Sequence, residues 1–269
     1  MPAHDPALRA LARLPRPLYG HIEALPNRVL GYRHRHPWCQ FAYALQGVLE
    51  VWTDRGRFVA PPQWAVWIPA GVAHRVRCAT GTRIRSLYLD NSVDNSVRAA
   101  ARARCRVLTV SPLLRELIRT FSHLPAEYDE RGADGRLARV LIDQLGAAPE
   151  VEFMLPLPAD PRVRLVCNGL QRHADRDTSL AAWSARLAVS GKTLTRLFQR
   201  ETGLTFRAWR QRLRLLDAVP RLERGEAVTE VALDCGYESL SAFIAAFRRL
   251  YNMTPGELSR ANRVVAAGS

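Results

Sequence analysis

The sequence lacks the features that mark several classes of protein. It has no uninterrupted apolar run of the roughly 18 residues that a membrane span requires, and its first residues carry charge and proline instead of the apolar stretch of a signal peptide. Its five cysteines are scattered and include no CxxC pair, so neither a disulfide framework nor a zinc finger is predicted. These absences predict a cytoplasmic protein with no membrane partner.

Lysine is nearly absent as well, because Lys192 is the only one in the chain and arginine carries the remaining positive charge. The formal net charge is +14 at pH 7, and a basic surface attracts polyanions because each neutralised phosphate releases counterions. Arginine suits bidentate contacts with phosphate and guanine. A GC-rich genome also raises the arginine content, and the charge divides evenly between the halves of the chain. Charge alone therefore does not locate a nucleic-acid site.

The segment between Arg28 and Asp90 has the pattern of short β-strands separated by turns. Residues 41–45, 48–53 and 83–89 are rich in aromatic and β-branched residues and often alternate, and glycine, proline or aspartate lies between them. Many short strands at close spacing predict an antiparallel barrel or sandwich.

After Asp90 the pattern becomes that of helices. Ser111 and Pro112 open an apolar-periodic run as a natural N-cap and first-turn proline, and a second run extends from Leu137 to Leu145. These helices are predicted to bridge the two halves, and their periodicity leaves open whether they also pair two subunits. Residues 149–161 contain several prolines and little regular pattern, which predicts the linker between the domains.

The C-terminal half contains an internal repeat, which is the most informative feature of the sequence. The residue types of 180–189 recur in 228–237, and those of 194–198 recur in 243–247 after one inserted residue. Each copy is predicted to form a short helix, a tight turn at a small residue and a second helix that begins at a serine cap.

The second helix of the first copy is predicted to have two distinct faces. Leucine and phenylalanine share the inward face at helical spacing. Another face carries basic and polar side chains, namely Lys192, Thr195, Arg196 and Gln199. A basic and polar face on the second helix is what reading the major groove requires. A solvated face on an ordinary helical hairpin is the alternative for one copy, and the presence of two copies favours DNA binding.

Residues 163–261 resemble the DNA-binding domain of the AraC/XylS family of transcription regulators. The match lies in 180–214 and 228–258 and includes a Gly-Tyr turn, a Ser-x-Phe-x-x-x-Phe pattern and a closing Thr-Pro-Gly. The resemblance implies two helix-turn-helix units joined by a long helix, recognition helices in successive major grooves, and RNA polymerase as a partner. It assigns base-facing roles to Lys192, Thr195 and Arg196 in the first unit and to Ser241, Ala242 and Ala245 in the second.

Two departures from the family pattern affect these expectations. Pro220 lies within the predicted connecting helix, at about 206–224, where it removes one backbone hydrogen bond and is expected to kink the helix. The second recognition helix presents mostly alanine, which puts its share of base reading in doubt. Arg248 and Arg249, one turn further on, are predicted to contact phosphate.

The strand-rich half resembles the cupin barrel over about residues 25–90, because His34-x-His36-x3-Gln40 is followed by His74 in a second motif. In cupins two histidines, an acidic residue and a third histidine from a later strand bind a metal, so the resemblance implies a divalent first-row ion at these four positions. Strand alternation places the first three on one face. Gln40 replaces the usual glutamate. The alternative is a vestigial cupin whose histidines bind an organic effector or simply line the barrel.

Aromatic residues near the histidines are predicted to line an effector pocket if they face inward, with ordinary barrel core as the alternative; they are Trp38, Phe41, Tyr43, Trp52 and Trp67. The sequence thus predicts an α+β protein with three parts: a cupin-like antiparallel β-barrel that senses an effector (15–92), a helical connector and linker (93–158), and an all-α DNA-binding domain (159–263) whose helix-turn-helix units lie at about 180–200 and 228–249.

The predicted partners are double-stranded DNA, RNA polymerase and a small-molecule effector, and a homodimer is left open. No catalytic residue is predicted. An alternative from another class is a metal-dependent cupin enzyme with an incidental basic tail. That enzyme would need retained metal ligands and a catalytic acid, and Gln40 in the glutamate position counts against it. A DNA-binding protein with an inactive barrel is a third interpretation.

Overall fold

A computed structural model of the chain describes residues 11, 13–90, 93, 104–151, 153–172 and 178–260. The chain divides into two compact units. The first consists of Met1–Thr53, Phe58–Phe153 and Ser259–Ser269, and the second of Asp54–Arg57 and Met154–Leu258. Among the described helices, none is both long and apolar enough to cross a membrane.

The strand-rich half folds into antiparallel sheets, as the sequence predicts. The strands are β1 (Leu18–Tyr19), β2 (Cys39–Ala42), β3 (Ala44–Gln46), β4 (Leu49–Thr53), β5 (Gly56–Ala60), β6 (Trp64–Ile68), β7 (His74–Cys78), β8 (Arg83–Ile84), β9 (Leu87–Leu89), β10 (Arg106–Thr109) and β11 (Glu150–Val151), with a 3-10 helix at Leu25–Asn27. A six-stranded sheet has the order β1-β9-β2-β6-β10-β11. In a second sheet β5, β4 and β7 lie side by side, and β3 pairs with β8.

Two helices complete the first unit, α1 (Pro112–Phe121) and α2 (Ala133–Ala147). The predicted start of α1 is confirmed, because Ser111 caps it by accepting a hydrogen bond from the Leu114 amide at 3.1 Å and Pro112 is its first residue. Buried side chains from both helices share one hydrophobic core with strand residues such as Phe41 and Trp67.

These helices are predicted to bridge the two halves as a connector at 93–158, whereas in the structure both belong to the first unit and share its core. The apolar periodicity that predicts a helix also requires something to cover its apolar face, and in this chain the sheet covers it. The predicted linker at 149–161 also contains regular structure, because β11 and β12 (Met154–Pro156) fall inside it and a helix begins at Pro161.

The second unit is helical after β12. Its helices are α3 (Pro161–Gln171), α4 (Leu180–Arg186), α5 (Gly191–Thr202), α6 (Phe206–Glu223), α7 (Val228–Asp234) and α8 (Leu240–Tyr251), and a further helical segment begins at Pro255. The pairs α4–α5 and α7–α8 are the two predicted helix-turn-helix units. The long helix α6 contacts α5, α7 and α8. It continues as an α-helix through Pro220 for one more turn to Glu223, so the proline does not end it.

Candidate functional site

The first recognition helix, α5, separates its side chains as the sequence predicts. Leu194 and Phe198 are fully buried on its inner side. The predicted DNA-facing side chains are all exposed, namely Lys192, Thr195, Arg196 and Gln199. The Ser190 hydroxyl caps the helix by accepting a hydrogen bond from the Thr193 amide at 3.1 Å. The exposed polar face therefore lies on a rigid helix whose other face is anchored in the core.

Two of the four side chains on the exposed face of α5 already donate hydrogen bonds within the protein, and the other two do not form ion pairs with the described residues. Thr195 donates its hydroxyl to the Gly191 carbonyl oxygen at 2.8 Å, and Gln199 donates an amide hydrogen to the Gly203 carbonyl oxygen at 3.0 Å. Lys192 and Arg196 make no ion pair with any residue that the structure describes, so both cations are available to an anionic or base-edge partner.

The second recognition helix, α8, has a similar buried side and a different exposed one. Phe243 and Phe247 are fully buried, and Ser239 caps the helix at the Ala242 amide. The predicted contact residues are again all exposed: Ser241, Ala242, Ala245, Arg248 and Arg249. The first three offer one hydroxyl and two methyl groups. The two arginines lie in the last turn of the helix.

A group of arginines that the sequence analysis did not single out joins α6 to the second helix-turn-helix unit. Arg221 lies 2.6 Å from a Glu226 carboxylate oxygen and 2.7 Å from one of Asp234, and Arg214 donates to the Gly236 carbonyl oxygen at 3.1 Å. These contacts hold α7 against α6 and so orient α8. The residues are dispersed along the chain, and no spacing pattern marks them.

The three histidines predicted in the barrel come together. His34 and His74 form an antiparallel bridge in which each amide donates to the other's carbonyl oxygen at 2.8 Å, although they are far apart in sequence. One ring nitrogen from each of His34, His36 and His74 lies within 4.8 Å of the others. Gln40 Oε1 lies 3.1 Å from both His36 Nε2 and His74 Nε2. The structure thus gathers all four predicted metal-ligating residues.

Each histidine is oriented by a backbone carbonyl two residues away. His34 Nδ1 lies 3.0 Å from the Tyr32 oxygen, His36 Nδ1 2.8 Å from that of Trp38, and His74 Nδ1 2.9 Å from that of Val72. A carbonyl only accepts, so each Nδ1 carries the hydrogen, and a neutral ring then has its lone pair on Nε2.

Burial keeps two of these rings neutral near pH 7. Desolvation is the largest cause that lowers the pKa of His36 to about 4 and that of His74 to about 3. The Nε2 lone pairs of neutral imidazoles are the donors that first-row metal ions prefer, and carbonyl-bound Nδ1 groups are the usual orienting contacts. The residues present therefore fit a metal ion.

The hydrogen-bonding requirements of the two buried rings also determine which end of the Gln40 amide faces them. Two lone pairs, on His36 Nε2 and His74 Nε2, need donors, and a carbonyl oxygen has none to give. Only the NH2 group has two hydrogens, so without an ion we place the amide nitrogen between the rings. An ion held by the imidazoles would instead favour the oxygen at that position, because a carbonyl oxygen is the ligating atom of an amide.

The structure divides the five aromatic residues predicted to line an effector pocket among three places. Trp38 stacks on His36 with ring centroids 5.6 Å apart. Trp52 is partly exposed and lies under Arg75. The others belong to the core between the six-stranded sheet and α1 and α2, namely Phe41, Tyr43 and Trp67. The alternative of ordinary core thus holds for these three, because helices cover the face of β2 opposite Gln40, whereas Trp38 lies beside the histidines.

Comparison with known families agrees with both halves of this description. A model described as a helix-turn-helix domain matches residues 183–261, and one described as an AraC-like ligand binding domain matches residues 17–145. The second match includes α1 and most of α2, which is consistent with their place in the core of the first unit.

Similar proteins have been named as transcription regulators. The chain is 33% identical over 223 residues to the HTH-type transcriptional regulator NimR of Escherichia coli strain K12, and the match covers 83% of this chain and 80% of that protein. It is 33% identical over 98 residues to the HTH-type transcriptional activator RhaS of Escherichia coli O157:H7 strain EC4115, which covers 36% of this chain and 35% of that protein.

A solved structure also matches the C-terminal half. The DNA-binding domain of AdpA, a global transcriptional factor in complex with a target DNA, is 30% identical; the match covers 39% of this chain and 96% of that chain, with a TM-score of 0.35. The names of NimR and RhaS favour a regulator over the alternative of a cupin enzyme. Domains of these two types bind DNA and small effectors respectively. The chain belongs to the AraC family of helix-turn-helix transcription regulators.

Proposed function

We propose that this regulator reads its DNA sites mainly through α5 and uses α8 mainly to hold the duplex backbone. The observation that supports this division is that Lys192 and Arg196 of α5 are exposed and form no ion pair with the described residues, at positions where α8 has Ser241 and Ala245. A recognition helix that carries donors discriminates base pairs through their major-groove edges.

On this proposal each exposed side chain has a stated role. Arg196 binds guanine in a bidentate manner, Lys192 and Gln199 contribute further polar contacts, and Thr195 presents its methyl group because its hydroxyl donates within the helix. The two alanines of α8, Ala242 and Ala245, suit thymine methyl groups or a close approach of the backbone, and Ser241 adds one hydroxyl. Arg248 and Arg249 bind phosphate, which positions the protein and reads no sequence. The alternative is that Lys192 and Arg196 contact only phosphates and that specificity comes from DNA shape.

The test compares Arg196→Ala with Arg249→Ala on a library of randomised DNA sites at two salt concentrations. Arg196→Ala is expected to cost about 1–3 kcal/mol of binding free energy and to relax the preference at one base position. Arg249→Ala, the matched control, is expected to weaken binding to all sites alike and to reduce the salt slope by about 1. An Arg196→Ala protein with lower affinity and an unchanged base preference would contradict the proposal.

For the first unit the proposal is a divalent first-row ion held by Nε2 of His34, His36 and His74 and by Oε1 of Gln40. The convergence of three oriented imidazoles supports it. When bound, such an ion would supply a Lewis acid to which an oxygen or nitrogen atom of an effector could bind. The double variant His36→Ala and His74→Ala is expected to bind no ion and to keep a DNA-binding half that folds. A protein that ignores added iron, nickel, manganese and zinc would contradict this part.

The remaining elements of the proposal concern partners and location. The family resemblance implies RNA polymerase as a partner, and the composition predicts action in the cytoplasm. A homodimer would present two copies of each recognition helix to one site, and sedimentation of the full chain with and without DNA tests it. An effector changes DNA affinity only if it binds one state of the protein more tightly than another.

A further inference from the structure

The four donor groups of the candidate metal centre carry no negative charge. Gln40 is a neutral amide, and a histidine ring that gives its Nε2 lone pair to an ion is neutral as well. Among the described residues, the group of side chains close enough to hold an ion consists of His34, His36 and His74 and includes no Asp or Glu. A divalent ion held by these ligands would therefore keep its full double charge.

Because the ligands are buried, placing a double positive charge among them is energetically unfavourable. His74 is fully buried, and His36 and Gln40 are each only 4% exposed. The Tyr88 ring lies 4.7 Å from the His36 ring, and Trp38 stacks on the same ring. Moving a charge from water into such an environment is unfavourable unless an opposite charge accompanies it. In the part of the chain that the structure describes, the site thus has ligands that orient an ion but no side chain that would neutralise its charge.

We infer that the barrel binds a divalent ion tightly only together with a small carboxylate, and that the effector belongs to this class of anion. The inference rests on the metal centre proposed above. The carboxylate would bind the ion through one oxygen and would supply the missing negative charge.

Joint binding has a quantitative consequence. If the bound carboxylate increases the affinity for the ion by some factor, the bound ion increases the affinity for the carboxylate by the same factor, because both binding steps belong to one thermodynamic cycle. Coupling of this kind is typically about 5- to 150-fold. The regulator would then respond to the anion only when the ion is available.

The experiment titrates the full-length protein with Co2+, followed by visible absorption and calorimetry, in the presence of acetate or of acetamide. Acetamide has almost the same size and shape as acetate but no charge. Acetate is expected to lower the apparent Kd for Co2+ about 5- to 150-fold, and acetamide to leave it unchanged. A mildly acidic buffer limits hydroxide, which is itself an anion. The His36→Ala and His74→Ala double variant measures binding outside the centre. Equal affinity with acetate and acetamide overturns the inference.

Gln40→Glu provides a matched variant, because it adds a negative charge to the ligand set with little change in shape. It is expected to bind Co2+ without acetate and to lose most of the acetate response. A Gln40→Glu protein that is folded, as judged by thermal unfolding, and still requires acetate overturns the inference. If that variant does not fold, the comparison of acetate with acetamide on the native sequence decides alone.

The outcomes also separate this inference from the proposals on which it rests. Binding of Co2+ that does not depend on acetate supports the proposed metal centre and contradicts only the requirement for an anion. Absence of Co2+ binding with either acetate or acetamide contradicts both the proposed metal centre and this inference. Binding of the same protein preparation to its selected DNA sites is measured independently and reports on the second unit.

Discussion

The two helix-turn-helix units have similar buried residues and different exposed residues. Their first helices have seven residues each and their second helices have twelve. Phenylalanines at matching positions, Phe198 and Phe247, are fully buried in both. The exposed faces differ, because α5 carries Lys192 and Arg196 where α8 carries serine and alanine. Duplication of a motif therefore preserves the residues that fold it and leaves the residues that contact a partner free to diverge.

The largest expected effect tests the similarity of the two interiors. Phe198→Ala and Phe247→Ala each remove a fully buried aromatic ring, and each is expected to destabilise the second unit by about 3–5 kcal/mol. Urea unfolding followed by the helical circular dichroism signal measures both. Exposed Leu233→Ala serves as the control and is expected to change stability little. A several-fold difference between the two phenylalanine variants would show that the units do not contribute equally to the core.

The turns differ in a way that predicts opposite responses to substitution. Ala188 and Gly236 both have left-handed backbone angles, with φ of 51° and 74°. A Cβ atom at Gly236 would lie 3.1 Å from the Arg214 guanidinium carbon, and a left-handed alanine costs roughly 1–2 kcal/mol. Gly236→Ala is therefore expected to destabilise by about that amount. Ala188→Gly removes the same strain, and we expect a small gain in the free energy of unfolding. Loss of stability on Ala188→Gly would contradict this interpretation.

The caps of the first helices offer a smaller test of the same comparison. The Ser179 hydroxyl accepts a hydrogen bond from the Ala182 amide at the start of α4, whereas Ala227 at the start of α7 has no side-chain cap. Ser179→Ala is expected to destabilise by about 0.5–2 kcal/mol. Ala227→Ser is expected to stabilise by about 0.5–1 kcal/mol, because its backbone is already extended as a capping residue requires. Thermal unfolding of both variants measures the difference, and an unchanged midpoint for Ala227→Ser would contradict it.

The parts of this molecule that the sequence predicts are those governed by local rules. The serine cap of α1, the two faces of α5 and the small residues of the turns follow from periodicity and backbone preference. The convergence of His34, His36 and His74 could also be predicted, because strand alternation and a family motif agree. These features need no knowledge of what lies on the other side of an element.

The parts that the sequence misses depend on what covers each face. Phe41 and Gln40 are neighbours on β2 and point to opposite sides, and the sequence does not say that α1 and α2 cover the side of Phe41. The predicted effector pocket therefore mixed core residues with Trp38, which lies beside the histidines. The ion pairs of Arg221 with Glu226 and Asp234 were missed because arginine is common throughout the chain and their pairing arises only from the packing of α7 on α6.

The smallest expected effect concerns the hydroxyl groups of the two recognition helices. Thr195 donates its hydroxyl to the Gly191 carbonyl oxygen at 2.8 Å, so that hydrogen is already used within α5 and the methyl group is left for a base. Thr195→Val keeps the branched shape and is expected to change the DNA-binding free energy by less than about 0.5 kcal/mol. Ser241 lies within 3.2 Å of the Ser239 hydroxyl, and Ser241→Ala is expected to have an equally small effect. Binding of both variants to the selected DNA sites measures these effects. Thr195→Ala, which removes the methyl as well, is expected to weaken binding more than Thr195→Val does. A large loss with Thr195→Val would mean that the hydroxyl accepts a hydrogen bond from a base, and the polar face of α5 would then extend further than its two cations.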